Sequence, residues 1–243
     1  MSNTVSLVVL GGAGRMGRAV VAAATDGTGF VVKGMLVRTA PTDHRPLDPP
    51  AFTDLDEVLK ACPGAVAVVF TTPPDAPALV RAVAERAHPL VVGTTGMGQA
   101  GDRAMAEAAE RVAVVEAPNT SPGMALLRRA LRTILAADGP EWNISVLDRD
   151  HRHKQDAPSG TALQLESVIA ETGRDSDVVS VREGDVVGEH TVSMSVEDEE
   201  LVILHRALDR RVFARGALLA AAFAARVDAG RYTMDDVVER GEP

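Results

Sequence analysis

The sequence has few of the residues on which several classes of binding site depend. Aromatic residues make up only 3% of its 243 residues, and Cys62 is the single cysteine. Scarce aromatic side chains argue against a stacking platform for single-stranded nucleic acid, and one cysteine provides neither an internal disulfide nor a thiolate cluster for zinc. The formal net charge of −9 argues against binding of a nucleic-acid phosphate backbone. A small anion can still bind such a chain wherever basic residues cluster.

Long apolar runs are missing as well. Val5–Leu10 is too short for the apolar segment of a signal peptide or for a membrane span of about 20 residues, and no basic residue precedes it. With 46% apolar and 24% charged residues, the composition is typical of a globular protein. We therefore expect a cytoplasmic protein that has no membrane or nucleic-acid partner.

Short apolar runs alternate with alanine-rich stretches of helical length over the first 120 residues. The predicted strands cover 5–10, 30–37, 65–70, 90–92 and 112–115, and the predicted helices cover 18–26, 55–61, 76–86 and 99–111. Regular alternation of strand and helix predicts an α/β fold with a doubly wound parallel sheet of Rossmann type.

The pattern changes after residue 121. Strand-like runs at 144–147, 178–182, 190–196 and 200–205 surround one helix at 161–171. This pattern predicts an inserted α+β domain with an open antiparallel or mixed sheet. An apolar helix over 216–229 is expected to pack back on the first domain.

A glycine motif follows the first predicted strand. Gly12, Gly14 and Gly17 form a G-x-G-x-x-G pattern at the start of a helix. Glycines let such a turn approach a pyrophosphate, and the helix N–H groups and dipole favour its negative charge. A tight turn without a ligand is the alternative, but the position between strand and helix favours dinucleotide binding.

The residue that reads the cofactor's ribose is expected at the end of the second strand, about 20 residues further on. Val37-Arg38-Thr39 occupies that place and contains no carboxylate. A guanidinium can pair with a 2′-phosphate and Thr39 can add a hydroxyl, so we predict a preference for NADPH, with NADH as the other candidate. The alternative is that Arg38 is a solvated loop residue.

The most distinctive segment covers residues 148–162. Four basic side chains, His-Arg-His-Lys, occupy 151–154, and Ser159 is the expected N-cap of the helix that follows. Together with the Ser-Gly-Thr turn they predict an anion site. Metal binding by His151 and His153 is the rival interpretation, but no third ligand is evident and we predict no metal. A charged solvated loop is the other alternative.

These motifs resemble the dihydrodipicolinate reductase family, also called 4-hydroxy-tetrahydrodipicolinate reductases, of the diaminopimelate and lysine pathway. The resemblance runs through nearly the whole chain. The stretches that carry it are 11–17, 70–73, 92–96, 117–119, 154 with 156–162, 182–184 with 188–190, and 211–217. Several of them are longer and less degenerate than a dinucleotide fingerprint.

The resemblance implies an enzyme, an NAD(P)H-dependent oxidoreductase that reduces a small cyclic unsaturated dicarboxylate, 4-hydroxy-tetrahydrodipicolinate, to tetrahydrodipicolinate. It implies a dinucleotide-binding domain at residues 1–121 and 211–243, and a substrate-binding and oligomerisation domain at residues 122–210. The second domain would build a homotetramer through its sheets, with a dimer as the smaller alternative.

Site residues follow from the motifs and the resemblance together. The predicted cofactor-binding residues are Gly11, Gly12, Ala13, Gly14, Arg15, Met16, Arg38, Thr39, Phe70, Thr71, Gly93, Thr94, Thr95, Ala117, Pro118, Asn119 and Thr120. The predicted substrate-binding residues are His151, Lys154, Ser159, Gly160 and Thr161, and the resemblance implies that Lys154 is also catalytic.

Asp150 departs from the family pattern, in which two adjacent histidines usually stand where this chain has Asp150-His151. The position of the proposed proton donor therefore carries a carboxyl, and an Asp with an ordinary pKa of about 3.9 is ionised at neutral pH. Either Asp150 is catalytic in the family reaction, or the chain reduces another imine or enamine carboxylate in specialised metabolism. A nucleotide-binding paralogue without turnover is the third alternative. The sequence assigns no role to His153, His190 or Arg215.

Overall fold

The structure, a computed structural model, describes residues 4–27, 29–39 and 48–240. The chain divides into two compact units, a first unit of Met1–Ser121 with Arg211–Pro243 and a second unit of Pro122–Arg210. Among the described residues, no helix combines the length and the apolar character that a membrane span requires.

The two units are built from alternating strands and helices. The strands are β1 (Val5–Leu10), β2 (Phe30–Leu36), β3 (Ala51–Phe52), β4 (Val66–Val69), β5 (Leu90–Val92), β6 (Ala113–Glu116), β7 (Asn143–Asp150), β8 (Asp177–Arg182), β9 (Glu189–Ser195), β10 (Glu200–Arg206) and β11 (Gly230–Thr233). The helices are α1 (Arg15–Asp26), α2 (Leu55–Ala61), α3 (Ala76–Glu85), α4 (Gly98–Ala109), α5 (Pro122–Ala136), α6 (Gly160–Ala170), α7 (Arg211–Ala224) and α8 (Met234–Arg240).

The first unit contains a seven-stranded sheet in the order β11-β6-β5-β4-β1-β2-β3, and its pairings are parallel. Val8 and Leu10 of β1 are fully buried in a core that they share with α2, α3 and α4. α7 contacts α1 and four central strands, β1, β4, β5 and β6. The predicted doubly wound parallel sheet is confirmed, although α7 begins at Arg211 rather than at the predicted residue 216.

Strand order decides where a ligand can reach this sheet. The chain runs from β1 outward to β2 and β3, and then returns to the other side of β1 to form β4, β5 and β6. Parallel register brings the ends of β1, β2 and β4 to one edge, since Leu10 pairs with both Leu36 and Val69. Open α/β sheets bind their ligands at such a reversal of strand order.

The second unit contains a four-stranded sheet in the order β10-β9-β7-β8. β7 is parallel to β8 and antiparallel to β9, so the predicted mixed sheet is confirmed. One face packs on α5 and α6, where Val146 and Val192 meet Leu131 and Leu165. The opposite face carries exposed apolar side chains.

Candidate active site

The loop between β1 and α1 is folded tightly against its neighbours. Gly11 has a φ of +90°, and a Cβ there would lie 2.1 Å from the carbonyl oxygen of Phe70. A Cβ at Gly17 would lie 2.3 Å from the carbonyl oxygen of Gly11. The N–H groups of Gly11 and Gly12 donate to the carbonyl oxygen of Leu36. Side chains larger than hydrogen would therefore displace the loop from the ends of β2 and β4.

The N-terminus of α1 is open to an anion. Its N-cap is Gly14, which provides no side-chain acceptor, and the first turn contains no acidic residue. The first N–H groups of a helix lack partners within the helix, and the dipole places partial positive charge there. Ala13, Gly14 and Arg15 are exposed at this end. This arrangement fits the pyrophosphate of a dinucleotide.

The loops after β4 and β5 are tied together by one hydroxyl. Thr94 Oγ1 accepts a hydrogen bond of 3.0 Å from the N–H of Thr71, and Thr94 is buried. Thr95 is exposed, while Phe70, Thr71 and Gly93 are half-buried. The predicted cofactor residues of this region therefore comprise exposed and half-buried positions and a buried threonine, Thr94, that fixes the loops.

The loop after β6 is also held in place by hydrogen bonds of its own side chains. Thr120 Oγ1 donates a hydrogen bond of 2.7 Å to the carbonyl oxygen of Phe213, and Asn119 Oδ1 accepts one of 2.9 Å from the N–H of Ser121. Thr120 and Ala117 are both buried. The hydroxyl of Thr120 is used to hold the loop against Phe213. Direct contact of these residues with a cofactor stays a prediction.

An acidic residue that sequence reasoning did not place lies beside Arg38. Arg38 and Thr39 follow β2 and are exposed, and Arg38 Nη2 lies 3.7 Å from Asp75 Oδ2. Asp75 also accepts a hydrogen bond from the Thr72 hydroxyl. Asp75 belongs to the loop after β4, and the parallel register brings it to the end of β2 beside Arg38.

In the second unit, Asp148 is the centre of a buried hydrogen-bond network. Its Oδ2 accepts hydrogen bonds from the N–H of Ser159 at 2.8 Å, from Arg182 Nη2 at 2.8 Å and from the Ser180 hydroxyl at 3.1 Å. Its Oδ1 lies 3.2 Å from His190 Nε2. Burial alone would raise the pKa of Asp148, but the interactions with His190, Arg182 and Ser159 outweigh burial and hold that pKa well below its usual value.

The network leads directly to the N-terminus of α6. Ser159 is the N-cap, as predicted from sequence, and its Oγ accepts a hydrogen bond of 3.1 Å from the N–H of Ala162. Gly160 and Thr161 begin the helix and are half-buried. The predicted Ser-Gly-Thr turn is therefore a helix N-terminus, which favours a bound anion.

Lys154 stands beside this helix N-terminus. Its Nζ lies 2.9 Å from Asp156 Oδ2, and the Lys154 side chain is 25% exposed. Burial would raise the pKa of Asp156, but Lys154 and the backbone N–H of Gly160 lower it. The carboxylate of Asp156 thus pairs with Lys154 and Gly160, which are predicted to bind the substrate.

Asp150 is buried at the end of β7, with 7% of its surface exposed. Burial raises the pKa of its carboxyl and the negative charge of Asp148 adds to the increase, whereas the cationic Lys154 and Arg182 and the ring of His190 oppose it. The resulting pKa lies above the usual value for Asp. Asp150 therefore keeps its proton to a higher pH than a solvated Asp does, which is a shift in the direction that favours an acid catalyst.

Three potential metal ligands meet here, and they are not the pair that the sequence suggested. Asp148, Asp150 and His190 have ligand atoms within 4.8 Å of one another, whereas the rings of His151 and His153 are 6.4 Å apart. The guanidinium of Arg182 already occupies the Asp148 carboxylate and would repel a cation. Arrangement and charge therefore favour a hydrogen-bond network over a metal site.

Sequence reasoning did not single out the contacts of Asp148, Arg182 and His190, although Arg182 and His190 lie in stretches that carry the family resemblance and Asp148 begins the distinctive segment 148–162. The polar residues Asp148 and Asp150 alternate on β7 with Arg149, and they lie on the same face as the buried Val146. A carboxylate at a core position of a strand is a signal of a paired or functional group, because an unpaired buried charge is costly.

Comparisons with known proteins cover both units. The profile described as "Dihydrodipicolinate reductase, N-terminus" matches residues 5–120, and "Dihydrodipicolinate reductase, C-terminus" matches residues 123–238. The 4-hydroxy-tetrahydrodipicolinate reductase of Xanthomonas euvesicatoria pv. vesicatoria (strain 85-10) is 38% identical over 237 residues, which cover 98% of this chain and 99% of that protein. The enzyme of the same name from Rubrobacter xylanophilus is 37% identical over 262 residues, which cover 96% of this chain and 98% of that protein.

Solved structures show the same fold at lower identity. A dipicolinate-bound dihydrodipicolinate reductase from Paenisporosarcina sp. TG-14 has a TM-score of 0.77 at 19% identity, and covers 96% of this chain and 99% of its own. An amine dehydrogenase from Mycobacterium smegmatis has a TM-score of 0.70 at 12% identity, with 95% of each chain covered. Because the two profiles and the curated relatives span nearly its whole length, the chain belongs to the dihydrodipicolinate reductase family.

Proposed function

We propose that this protein reduces 4-hydroxy-tetrahydrodipicolinate to tetrahydrodipicolinate with a nicotinamide cofactor, in diaminopimelate and lysine biosynthesis. The observation that carries the proposal is the arrangement of Lys154 beside the N-terminus of α6, with Gly160 and Thr161 in its first turn. Cation and backbone donors together suit the carboxylates of a cyclic dicarboxylate. Asp156 currently pairs with Lys154, so a substrate carboxylate would take its place.

The chain's own residues would perform binding and proton transfer. A bound nicotinamide cofactor supplies the hydride. The β1–α1 loop and the open N-terminus of α1 would hold its pyrophosphate. Lys154 would neutralise a substrate carboxylate, and His151 would add a second polar contact. Asp150, buried and with a raised pKa, would deliver the proton to the reduced ring. The 4-hydroxyl group of the substrate would leave as water, so that one hydride and one proton enter and one water departs.

The cofactor that we propose as preferred is NADPH. Arg38 follows β2 without a neighbouring acidic residue in the sequence, so its guanidinium is available to a 2′-phosphate. The nearby Asp75 would weaken that preference, because its carboxylate pairs with Arg38 and repels a phosphate. NADH would therefore remain a usable cofactor.

A second candidate function rests on Asp150. A carboxyl in place of the usual histidine changes the size, charge and pKa of the group at this position. The chain would then reduce another imine or enamine carboxylate with the same hydride chemistry. A nucleotide-binding protein without turnover is the third candidate, which the retained Lys154 and glycine loop disfavour.

The remaining expectations concern assembly and location. We propose a cytoplasmic homotetramer formed through the sheet of the second unit, with a dimer as the smaller alternative. The exposed apolar face of that sheet supports the assembly, and the formal net charge of −9 supports a protein without a nucleic-acid partner.

One assay separates the three candidates. Purified protein is mixed with NADPH and enzymatically generated 4-hydroxy-tetrahydrodipicolinate, and loss of nicotinamide absorbance is followed. Turnover that Lys154→Ala abolishes and Lys60→Ala leaves unchanged supports the proposal, because Lys60 is an exposed lysine of α2. Binding of NADPH without turnover would refute the proposed reduction of 4-hydroxy-tetrahydrodipicolinate. Turnover of other imine carboxylates would then distinguish the second candidate from the third.

A further inference from the structure

Three buried polar side chains support the segment that carries Lys154, Gly160 and Thr161, and one of them, Ser159, belongs to that segment. Asp148 is 0% exposed, Ser159 is 2% exposed and His190 is 4% exposed. Burial at these levels leaves little surface for a ligand to touch. Their effect on a substrate must therefore pass through the residues that they hold.

Asp148 secures the segment at two points. Its carboxylate accepts the N–H of Ser159 directly, at 2.8 Å. Arg182 provides the second point, since its Nη2 donates both to Asp148 Oδ2 at 2.8 Å and to the carbonyl oxygen of Asp156 at 2.6 Å. The backbone from Asp156 to Ser159 is thus fixed at both ends, and Asp156 is the partner of Lys154.

His190 completes the arrangement from the neighbouring strand. It pairs with Asp148 in the antiparallel register of β7 and β9, so the two side chains share one face of the sheet. Its Nε2 lies 3.2 Å from Asp148 Oδ1 and 3.2 Å from Ser159 Oγ. With its proton on Nε2, the ring would place a donor next to both Asp148 Oδ1 and Ser159 Oγ, since a carboxylate can only accept.

We infer that Asp148 and His190 are positioning residues, which hold Lys154 and the N-terminus of α6 in the geometry that binds a dicarboxylate. This inference rests on the proposed function. Neither residue touches the substrate, so their loss acts on the affinity for the dicarboxylate before it acts on chemistry. Cofactor affinity is unaffected, because the glycine loop and Arg38 belong to the first unit.

Asp148→Asn and His190→Leu are the main test variants. Asn keeps the size of Asp and removes the charge that holds Arg182, and Leu removes the Nε2–H. We expect each to weaken binding of pyridine-2,6-dicarboxylate by about tenfold or more, and to raise KM more than it lowers kcat. The Kd for NADPH should stay within about twofold of the wild-type value. Isothermal titration with the full chain measures both ligands.

His190→Gln is the conservative control. Its amide N–H can replace the Nε2–H, so this variant should keep dicarboxylate affinity within about threefold of wild type. A purely structural role would lower the unfolding temperature of His190→Leu and His190→Gln without separating them in dicarboxylate affinity. Circular dichroism at the titration temperature establishes that each variant is folded.

The outcomes distinguish failure of the positioning role from failure of the proposed function. Folded Asp148→Asn and His190→Leu that bind the dicarboxylate as tightly as wild type overturn the positioning role while the proposed function stands. If these variants do not fold, Arg182→Lys keeps the positive charge but cannot reproduce both guanidinium contacts, to Asp148 Oδ2 and to the carbonyl oxygen of Asp156, and an unchanged dicarboxylate Kd in that variant overturns the role. A wild-type protein that neither binds the dicarboxylate nor turns over refutes the proposed function, and this inference with it.

Discussion

At the scale of a single residue, the carboxyl of Asp150 is the proton donor that we propose. Burial raises the pKa of Asp150, the charge of Asp148 raises it further, and Lys154, Arg182 and His190 oppose the shift. The group is protonated below its pKa, so a raised pKa extends the acid form toward neutral pH. If Asp150 is the donor, kcat rises as pH falls through that raised pKa.

Replacement of Asp150 tests this role. Asp150→Asn removes the proton and should lower kcat by about 10² to 10⁴ and abolish the dependence on pH. Asp150→His restores the residue usual in the family and should move the pH dependence toward the pKa of His, about 6.5. Both are measured as kcat against pH with the assay proposed above. An unchanged rate and profile in Asp150→Asn would remove Asp150 from the mechanism.

Arg38 and Asp75 test cofactor preference at the same scale. Arg38→Ala should weaken NADPH binding by about tenfold and leave the Kd for NADH nearly unchanged, because only NADPH carries the 2′-phosphate. Asp75→Asn should tighten NADPH binding severalfold, since it removes a negative charge 3.7 Å from Arg38. Nicotinamide fluorescence titrations give these constants.

A matched control uses another exposed ion pair of the first unit. Asp56 accepts a hydrogen bond from Arg86, so Asp56→Asn changes the same charge in the same kind of pair away from the ribose. It should leave both cofactor constants unchanged. Equal kcat/KM for NADPH and NADH, unaltered in Arg38→Ala, would contradict the preference for NADPH.

At the scale of elements, the stability of α6 depends on its N-cap, Ser159. Ser159→Ala removes the acceptor for the N–H of Ala162, and loss of an N-cap costs about 1 kcal/mol of unfolding free energy. Urea unfolding measures it through Trp142, the single tryptophan, which packs against the core of this unit. Ser167→Ala, an exposed change within the same helix, should cost nothing. Equal stability of the two variants would contradict the capping role.

How far the elements could be predicted depended on where their polar residues lie. β1 and β5 have the bounds that their apolar runs predict, because strands buried on both faces contain little else. β7 extends to Asp150, three residues beyond the predicted end at 147. The prediction ended too early because the last two inward-facing residues, Asp148 and Asp150, are carboxylates and do not continue the apolar run. The pattern of apolar residues in a sequence does not indicate a strand where the inward-facing residues are carboxylates.

The missed elements show the same limit. α5 was not predicted, although Met124, Leu127, Leu131 and Leu135 repeat with helical spacing and are buried. β11 has only four residues and depends on pairing with β6, which local sequence does not show. The candidate site divides in the same way. Motifs predict Lys154 and the Ser-Gly-Thr turn, whereas contacts between separate strands and loops bring in Asp75, Arg182 and His190.

At the scale of the whole molecule, the sheet of the second unit has an exposed apolar surface, which is the interface that we propose for assembly. Leu204, Thr191, Leu147 and Val179 are directly paired across the four strands, so their side chains lie in one row on one face. Val179 and Leu204 are 54% and 50% exposed, and Val202 beside them is 47% exposed. An exposed apolar patch of this kind marks an interaction surface, and a second copy of the same sheet would match it.

Charge placed on this face should break the assembly. Val202→Lys with Leu204→Lys puts two cations on the exposed face of β10, at positions two residues apart in the proposed interface, where burial of unpaired charge is costly. Sedimentation velocity should give a tetramer for wild type and a smaller species for the double variant. Leu208→Lys is the matched control, because Leu208 is 84% exposed and lies outside the strands, and it should leave the tetramer intact. A monomeric wild type, or a double variant that sediments as wild type does, would show that this face is not the interface.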